Sequence, residues 1–328
     1  MSLKNNIQDA LKLFKIRFMN RKIPLITTLA VTLRCNANCI YCDASNLNDS
    51  EEMSLDEIKD CISSFASMGA RKIGLAGGEP LLRKDIGEIV SYCKMHNLLV
   101  TMSTNGFLVP KKLDEIRYVD LLIVSLDGEE EIHDRLRGKG SHKKAIDAIE
   151  AAKEADMKVW TETVITKNNI NSLDYILDKA YEMKFMTIYE PVERFLFFDD
   201  KLDDLVPSPE ELRNFSLKLR NAKKNKRNVA VSNSFLDVMD KWPHYPKIKC
   251  WAGIGYGIIL SDGKVIPCVE KLNHSKEFLN GREVGFKKAF YEMPDFSCEG
   301  CFRNCYNEYN AFMNLKTEAV INSLKNMK

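Results

Sequence analysis

The sequence has little of several features that would assign it to a simple class. Its 328 residues include only 5 histidines and 3 tryptophans, and 48 basic residues nearly balance 46 acidic ones. This balance removes the electrostatic basis of dedicated nucleic-acid binding, so we expect no nucleic-acid partner. The best apolar run, from Ile23 to Leu33, contains threonines and a proline and is far shorter than the roughly 20 residues that cross a bilayer. No secretory signal pattern is present, so we expect a cytoplasmic protein.

Cysteine, by contrast, is abundant, with ten residues. In a reducing compartment, clustered cysteines are more often metal ligands or catalytic groups than disulfide partners. Cys61 and Cys93 stand among apolar residues at helical spacing, which predicts that they pack in the core. The other eight form two groups along the chain, which are Cys35, Cys39 and Cys42, and then Cys250, Cys268, Cys298, Cys301 and Cys305.

Apolar β-rich runs alternate with segments of helical period, as in a succession of βα units. This alternation predicts an α/β fold, a partial (β/α)6 barrel. The six predicted strands are Leu25 to Thr32, Lys72 to Ala76, Leu98 to Ser103, Leu121 to Ser125, Lys158 to Val164 and Thr187 to Glu190. A short motif rich in Gly, Asn, Asp or Ser follows most strands, and in such barrels the strand ends meet at one mouth.

Local signals mark several helix ends and one turn. Ser54 with Glu57 predicts a capping box, and Ser208 with Glu211 predicts another, with Pro209 at the first helical position. The segment 261–263 predicts a β-hairpin turn. The chain from 308 to 328 is expected to form one closing helix.

We therefore divide the chain into an N-terminal amphipathic helix (1–23), a barrel (24–205), a helical connection (206–249), a small cysteine-rich domain (250–306) and a closing helix (307–328). The first helix has two possible roles, docking against the barrel or lying on an anionic membrane surface. It carries an apolar stripe beside basic residues, comprising Ile7, Leu11, Phe14 and Phe18 with Lys12, Lys15, Arg17, Arg21 and Lys22.

The first cysteine group has the spacing CxxxCxxC and directly follows the first predicted strand. Three thiolates in one loop can hold three corners of a cubane iron–sulfur cluster and leave the fourth iron open. An open iron suits a bound reactant. Zinc is the alternative, but a structural zinc site needs four ligands, and this loop contains no fourth Cys or His.

The segment from Cys35 to Cys42, with Tyr41 before the third cysteine, resembles the defining motif of the radical S-adenosylmethionine (radical SAM) enzymes. This resemblance implies that the open iron chelates the methionine part of S-adenosylmethionine (SAM). It also implies that the reduced cluster cleaves SAM to a 5′-deoxyadenosyl radical, which abstracts hydrogen from a substrate. Tyr41 would lie by the adenine, although packing alone is the alternative for its ring.

The resemblance extends to motifs beyond later strands. Gly77, Gly78 and Glu79 resemble the segment that meets the methionine amino group, the alternative being a simple turn. Arg137 resembles a residue that holds a carboxylate with two bonds, the alternative being surface solvation. Further polar residues are expected near the ribose and the methionine carboxylate unless each only caps a helix. They are Ser103, Asn105, Ser125 and Asp127.

The second cysteine group resembles the SPASM and twitch extensions of radical SAM enzymes. A full SPASM domain binds two auxiliary clusters and has more cysteines, so the resemblance implies one auxiliary 4Fe-4S cluster here. Cys250, Cys268 and Cys298 would hold it with Cys301, which we prefer, or Cys305 as the fourth ligand. Four-cysteine structural zinc is the alternative.

The expected function is reductive cleavage of SAM followed by hydrogen abstraction from a peptide, a protein or a small metabolite, with a flavodoxin or ferredoxin as electron donor. Lipid modification is a further alternative, and a non-catalytic electron-transfer or zinc-stapled binding protein is the alternative from another class. Glu190, Glu193 and Arg194 follow the sixth strand and could touch the substrate. No histidine is assigned as a general base, and the net reaction, the substrate and the oligomeric state are left open.

Overall fold

The structure is a computed structural model. In the described part of the chain, eight strands form one open sheet. The structure describes residues 3–42, 44, 51–192, 202–245, 248–294, 296, 298 and 300–326. The strands are β1 (Ile26–Thr32), β2 (Lys72–Gly77), β3 (Leu99–Thr104), β4 (Leu121–Ser125), β5 (Val159–Ile165), β6 (Met186–Pro191), β7 (Tyr256–Ile259) and β8 (Val265–Ile266). Their order is β6-β5-β4-β3-β2-β1-β7-β8, and every neighbouring pair except β7 and β8 is parallel.

The predicted succession of six parallel strands is confirmed, with differences of at most one residue at each strand end. The hairpin is confirmed as well, because Ile258 pairs antiparallel with Ile266. Its first strand pairs with β1, from Ile26 opposite Tyr256 to Leu29 opposite Ile259. The sheet therefore continues across the domain boundary predicted at residue 250, and the division into domains stays a prediction.

Helices pack on the outer face of the sheet, and further helices lie at both ends of the described chain. In β3, Val100, Met102 and Thr104 are buried, whereas Thr101 and Ser103 are half-buried, as the period-two alternation of a strand requires. The helices are α1 (Leu3–Met19), α2 (Leu55–Met68), α3 (Ile86–Met95), α4 (Val109–Ile116), α5 (Glu130–Arg137), α6 (Ser141–Glu154), α7 (Leu173–Glu182), α8 (Pro209–Lys224), α9 (Asn233–Met239), α10 (Gly281–Val284), α11 (Phe286–Tyr291), α12 (Asn304–Met313) and α13 (Thr317–Asn326).

Both predicted capping boxes are confirmed. The Ser54 hydroxyl accepts from the Glu57 N–H, and the Glu57 carboxylate accepts from the Ser54 N–H. Ser208 and Glu211 make the same reciprocal pair at α8. These bonds satisfy backbone donors that the first turn of a helix cannot satisfy internally.

The two cysteines expected in the core are buried there. Cys61 on α2 and Cys93 on α3 are 1% and 0% exposed and belong to the main apolar core. Burial raises the pKa of the Cys93 thiol to about 12, so it stays protonated and unreactive at neutral pH. Both thiols thus pack and take no part in the candidate site.

The prediction of one closing helix from 308 to 328 is wrong, because α12 begins at Asn304 and a break at 314–316 separates it from α13. Leu315 at the break has φ +58°. The Asn314 side chain accepts from Trp251 Nε1 at 3.1 Å and donates to the Lys249 carbonyl at 3.0 Å. These bonds fix the end of α12 against the segment before β7, and the chain must turn there.

Helix α1 docks on the rest of the protein through one face. Ile16 is fully buried in the main core, Lys12 Nζ donates to the Gly69 carbonyl at 3.1 Å, and Arg17 donates to Asn314 Oδ1 at 3.1 Å. Leu11, Phe14 and Phe18 of the predicted stripe are instead exposed, and the Ile7 side chain lies outside the described residues. No helix in the described ranges has the length and apolar character to cross a membrane.

Candidate active site

The loop after β1 brings the first three cysteines together. The Cys42 N–H donates to the Cys39 carbonyl at 3.0 Å, and the Ile40 N–H donates to the Leu136 carbonyl at 2.9 Å. Burial raises the pKa of Cys39 to about 11; the Arg137 charge lowers it, while Cys42, Asp127 and Cys35 raise it further. Burial is also the largest cause of the raised pKa of Cys35, to which Cys42 contributes. The three thiols therefore lie within electrostatic range of one another.

The glycines after β2 lie against this loop. A Cβ on Gly77 would overlap the Thr32 carbonyl oxygen, and one on Gly78 would overlap the carbonyl oxygens of Leu33 and Arg34. The close approach allows the Gly78 N–H to donate to Thr32 O and the Glu79 N–H to donate to Arg34 O, both at 2.8 Å. Glycine is needed here because any side chain would separate the two backbones.

Glu79, the acidic residue of the same motif, is fully buried. Its carboxylate accepts from the Leu81 N–H at 3.1 Å, the Thr104 hydroxyl at 2.8 Å and the Asn105 N–H at 2.8 Å. Burial raises the pKa of this carboxyl despite these donors. In the structure, Glu79 ties the turn after β2 to the end of β3.

Asn105 continues this connection toward the cysteine loop. Its amide donates to Asn36 Oδ1 at 2.8 Å and lies 3.8 Å from Cys35 Sγ, while its Oδ1 accepts from the Phe107 N–H at 3.0 Å. The last bond closes a turn after β3 and does not cap a helix, because α4 begins at Val109 with Leu108 at its cap position. Ser103 and Ser125 are half-buried on the inner face of the sheet, and within the described residues their hydroxyls have no hydrogen-bond partner.

Asp127, after β4, is the centre of a buried polar network. Its carboxylate accepts from Tyr41 Oη and Arg137 Nε, both at 2.5 Å, and from the Val164 N–H at 3.0 Å. Burial alone would raise the pKa of Asp127, but the Arg137 charge, the hydrogen bonds from Arg137 and Tyr41 and the charge of His133 together outweigh it, and the pKa lies below its ordinary value. The Asp127 N–H donates to His133 Nδ1 at 3.0 Å.

Arg137 joins this network to the cysteine loop. It is 8% exposed, which excludes the alternative of surface solvation, and its second bond to Asp127 measures 3.4 Å. The guanidinium also lies 5.4 Å from the centre of the Tyr41 ring and 4.0 Å from Cys39 Sγ. In the structure, the carboxylate that Arg137 holds with two bonds is that of Asp127, and its charge faces a thiol of the loop.

Comparison with known proteins identifies this arrangement. Residues 29–180, which carry the loop, the glycine turn and the Asp127 network, match the Radical SAM superfamily. The chain contains a radical SAM domain. The prediction of a radical SAM enzyme, made from the resemblance of the segment from Cys35 to Cys42 to the family's motif, is confirmed at the level of the superfamily.

Two curated relatives carry a radical SAM domain of similar sequence. The "AdoMet-dependent heme synthase" of Methanosarcina barkeri is 28% identical over 280 residues, which cover 75% of this chain and 76% of the relative. The "Mycofactocin maturase MftC" of Mycolicibacterium smegmatis is 37% identical over 160 residues, 46% of this chain and 40% of the relative. The chain thus spans about three quarters of the first relative and less than half of the second.

A solved structure supports the fold. SuiB of Streptococcus suis bound to S-adenosylmethionine is 18% identical, with a TM-score of 0.72 over 89% of this chain and 71% of that chain. SuiB bound to the precursor peptide SuiA gives a TM-score of 0.69 at 17% identity, over 90% of this chain and 71% of that chain. At this identity the likeness concerns the fold alone.

The second cysteine group lies beyond the radical SAM domain, around Tyr256 and Glu270. Cys250 Sγ lies 3.3 Å from Tyr256 Oη, and the Gly300 N–H donates to Cys298 Sγ at 3.4 Å. Burial raises the pKa of Cys268 to about 12, with Glu270, Cys250 and Cys298 contributing. Cys250, Cys301 and Cys268 all raise the pKa of Tyr256, after its burial. Each of the four thiols therefore lies within electrostatic range of Tyr256 or of Cys268.

Cys305 faces a different region. Burial raises its pKa, and the next largest effects come from Glu190 and Glu162, on β6 and β5. Cys305 is exposed. Its strongest electrostatic neighbours are thus acidic residues of the sheet, whereas those of Cys268 are Glu270, Cys250 and Cys298.

Glu162 was not found by the sequence reasoning. It pairs in register with Ser125 and therefore lies on the same inner face. Burial, followed by the charge of Glu190, raises its pKa to about 7, while Arg137 and Arg303 lower it. The sequence feature that could have indicated Glu162 is an acidic residue at an inward-facing position of a predicted strand, observed as Val159–Ile165.

Glu190, which by its position could touch the substrate, holds the start of α12 in the structure. Its carboxylate accepts from Arg303 at 2.5 Å and from the Asn304 N–H at 3.0 Å. Glu193 and Arg194, named with it, lie outside the described residues. Among the described residues, no three His, Cys, Asp or Glu side chains are close enough together to hold a single metal ion.

Proposed function

We propose that this protein is a radical SAM enzyme that binds a 4Fe-4S cluster through Cys35, Cys39 and Cys42 and cleaves SAM. The observation that carries the proposal is the convergence of three thiols in one loop, held by the glycine turn on one side and by Arg137 on the other. When bound, the cluster supplies the electron that cleaves SAM to methionine and a 5′-deoxyadenosyl radical. Among the described residues no three such side chains are close enough for a single metal ion, and a cubane, which needs its thiolates further apart than one zinc ion does, suits this spacing better.

The chain's own residues would position SAM at the mouth of the sheet. Ser103 and Ser125 are the proposed direct contacts, since their hydroxyls lie on the inner face without partners in the described chain. Asn105 is held by Glu79, and Tyr41 is held by Asp127 and Arg137. We therefore assign Glu79 and Asp127 mainly to positioning. Gly77 and Gly78 keep backbone groups close to the loop, where they can meet the methionine amino group.

We further propose one auxiliary 4Fe-4S cluster, bound by Cys250, Cys268, Cys298 and Cys301. The choice of Cys301 over Cys305 rests on its effect on Tyr256, which it shares with Cys250 and Cys268. A buried oxygen beside this group, Glu270 Oε2, has no hydrogen-bond partner in the described part of the chain, as expected where another group completes the site. Structural zinc remains the competing occupant, which iron and zinc analysis distinguishes.

A peptide is the proposed substrate. The support is the relation to a maturase and the fold shared with SuiB, whose structure holds a precursor peptide. A small metabolite is the second candidate, favoured by the relation to a heme synthase that covers more of this chain. Either would reach the inner face of the sheet, where Glu162 lies within electrostatic range of Arg137 and Arg303. A flavodoxin or ferredoxin would deliver the electrons.

The test is the triple variant Cys35→Ala, Cys39→Ala, Cys42→Ala, assayed after anaerobic reconstitution. We expect wild-type protein to hold about eight irons and to form 5′-deoxyadenosine, and the variant to hold about four and to form none. The matched control is Cys61→Ala with Cys93→Ala, which removes core thiols and should leave both quantities unchanged, with circular dichroism as the test of folding. Undiminished 5′-deoxyadenosine in the triple variant would refute the proposal and favour a non-catalytic iron–sulfur or zinc protein.

A further inference from the structure

Helix α1 has a second apolar face that nothing in the described chain covers. Leu11, Phe14 and Phe18 are 56%, 54% and 63% exposed, whereas Ile16 is fully buried. Spacings of three and four residues place the exposed side chains on one side of the helix, opposite Ile16. The rings of Phe14 and Phe18 are 5.0 Å apart, so they form one continuous patch.

Two further exposed apolar residues lie near this end of α1. Arg17 donates to the Met313 carbonyl and to Asn314 Oδ1, which places the break between α12 and α13 beside α1. Leu315, in that break, is 46% exposed, and Met19 at the end of α1 is 53% exposed. Isolated exposed apolar residues need no explanation, but two exposed rings in contact on one helix face, with Leu11 on the same face, mark an interaction surface.

The charges around the patch are basic. Lys15 and Arg21 are exposed, and the Arg21 N–H donates to the Lys15 carbonyl at 3.1 Å, which brings Arg21 beside the last turn of the helix. Lys316, next to Leu315, is exposed as well. The one acidic residue of α1, Asp9, is paired with Arg71 at 3.0 Å and with Lys12 at 3.6 Å on the docked side.

We propose that this face of α1 binds peripherally to an anionic lipid bilayer. Aromatic and aliphatic side chains on one face, flanked by lysine and arginine and without an exposed acid, are what an interfacial helix needs to insert its apolar side among anionic headgroups. The opposite face of α1 is docked on the rest of the protein through Ile16, Lys12 and Arg17. Helix α1 would therefore attach the protein to the membrane while staying docked. One face of the helix would then dock on the protein and the other would lie on the membrane surface, so both roles predicted for this helix would apply.

The experiment is co-sedimentation of the full chain with phosphatidylcholine vesicles with and without phosphatidylglycerol. We expect binding only to the anionic vesicles, and binding that weakens with salt. Phe14→Ser with Phe18→Ser should reduce the partition coefficient roughly tenfold or more, because ring burial is lost. Lys15→Ala and Arg21→Ala should each reduce it roughly fivefold.

The matched control is Met95→Ser with Tyr181→Ser, which removes two residues that are 76% and 73% exposed but lie on α3 and α7. It should bind vesicles like the wild type. The proposal would be overturned if the phenylalanine variant bound the vesicles as well as the wild type. It would also be overturned if no protein bound and the phenylalanine variant alone changed from dimer to monomer in light scattering, because the patch would then be a contact between copies of the chain. The proposal is independent of SAM cleavage, so 5′-deoxyadenosine formation should be the same in all these variants.

Discussion

The two cysteine groups are held in different ways. The loop from Cys35 to Cys42 is supported by the ends of several strands, through the glycine turn after β2, Asn105 after β3 and Asp127 after β4. The second group is gathered from a hairpin and the segment before α12, and its framework is a few side chains around Tyr256. The first group is thus supported by the sheet itself, whereas the second, as a proposed site, would depend more on the group that it binds.

The largest difference between the two groups should appear on removing thiols from the second. For Cys250→Ala with Cys268→Ala, we expect iron to fall from about eight to about four per chain while SAM cleavage without substrate continues. The measurement is iron content together with 5′-deoxyadenosine formation, with circular dichroism as the folding control. If the variant lost zinc and kept its iron, the second group would be a structural zinc site and not an auxiliary cluster.

The next largest effect concerns the support of the first loop. Arg137→Met leaves the fully buried Asp127 carboxylate without its counter-charge, and breaking a buried pair in this way costs about 3 to 5 kcal/mol. Denaturant unfolding of the apoprotein measures it. Arg135→Met is the matched control, because Arg135 is 57% exposed and pairs with Glu131 at the surface; its effect should stay within about 0.5 kcal/mol. Equal effects for the two would show that the buried pair does not stabilise the loop.

A smaller effect is expected at the glycine turn. Gly78→Ala forces the turn away from the carbonyl oxygens of Leu33 and Arg34, at a cost of about 1 to 3 kcal/mol, and should weaken SAM binding as the loop shifts. Gly74→Ala, whose Cβ would meet only ordinary neighbours such as Thr101 Oγ1 at 3.4 Å, is the control. Calorimetric unfolding and SAM titration measure the two quantities. A Gly78 variant as stable as the Gly74 variant would contradict the close-packing account.

The smallest effect separates the fifth cysteine from the other four. Cys305→Ala should leave the iron content near its wild-type value, because Cys305 faces Glu190 and Glu162 on the inner face. Cys301→Ala should lose about half of the iron if Cys301 is the fourth auxiliary ligand. The reverse result would assign the fourth position to Cys305.

Most of the sheet was predictable from the sequence because each strand and each helix cap is a local signal. The capping boxes at Ser54 and Ser208 are examples. The pairing of β7 with β1 and the break at Asn314 were not predictable, since both depend on contacts between distant parts of the chain.

The site follows the same division. The cysteine spacing and the motifs beyond the strands identified residues that the structure brings together around the loop. The residues that these side chains contact could not be predicted from the sequence. That Arg137 holds Asp127, or that Glu162 shares a face with Ser125, follows from sheet register and helix placement.

The pairing of β1 with both β2 and β7 has a consequence for any shortened form of the protein. In the intact chain β1 is an interior strand, and the loop bearing Cys35 emerges from a ladder that is complete on both sides. A fragment that ends before residue 250 would leave the β7 side of β1 as a bare sheet edge, with the backbone groups of Ile26 to Leu29 unpaired. Such an edge recruits other strands. The fragment should therefore self-associate, although it would retain every thiol of the first group.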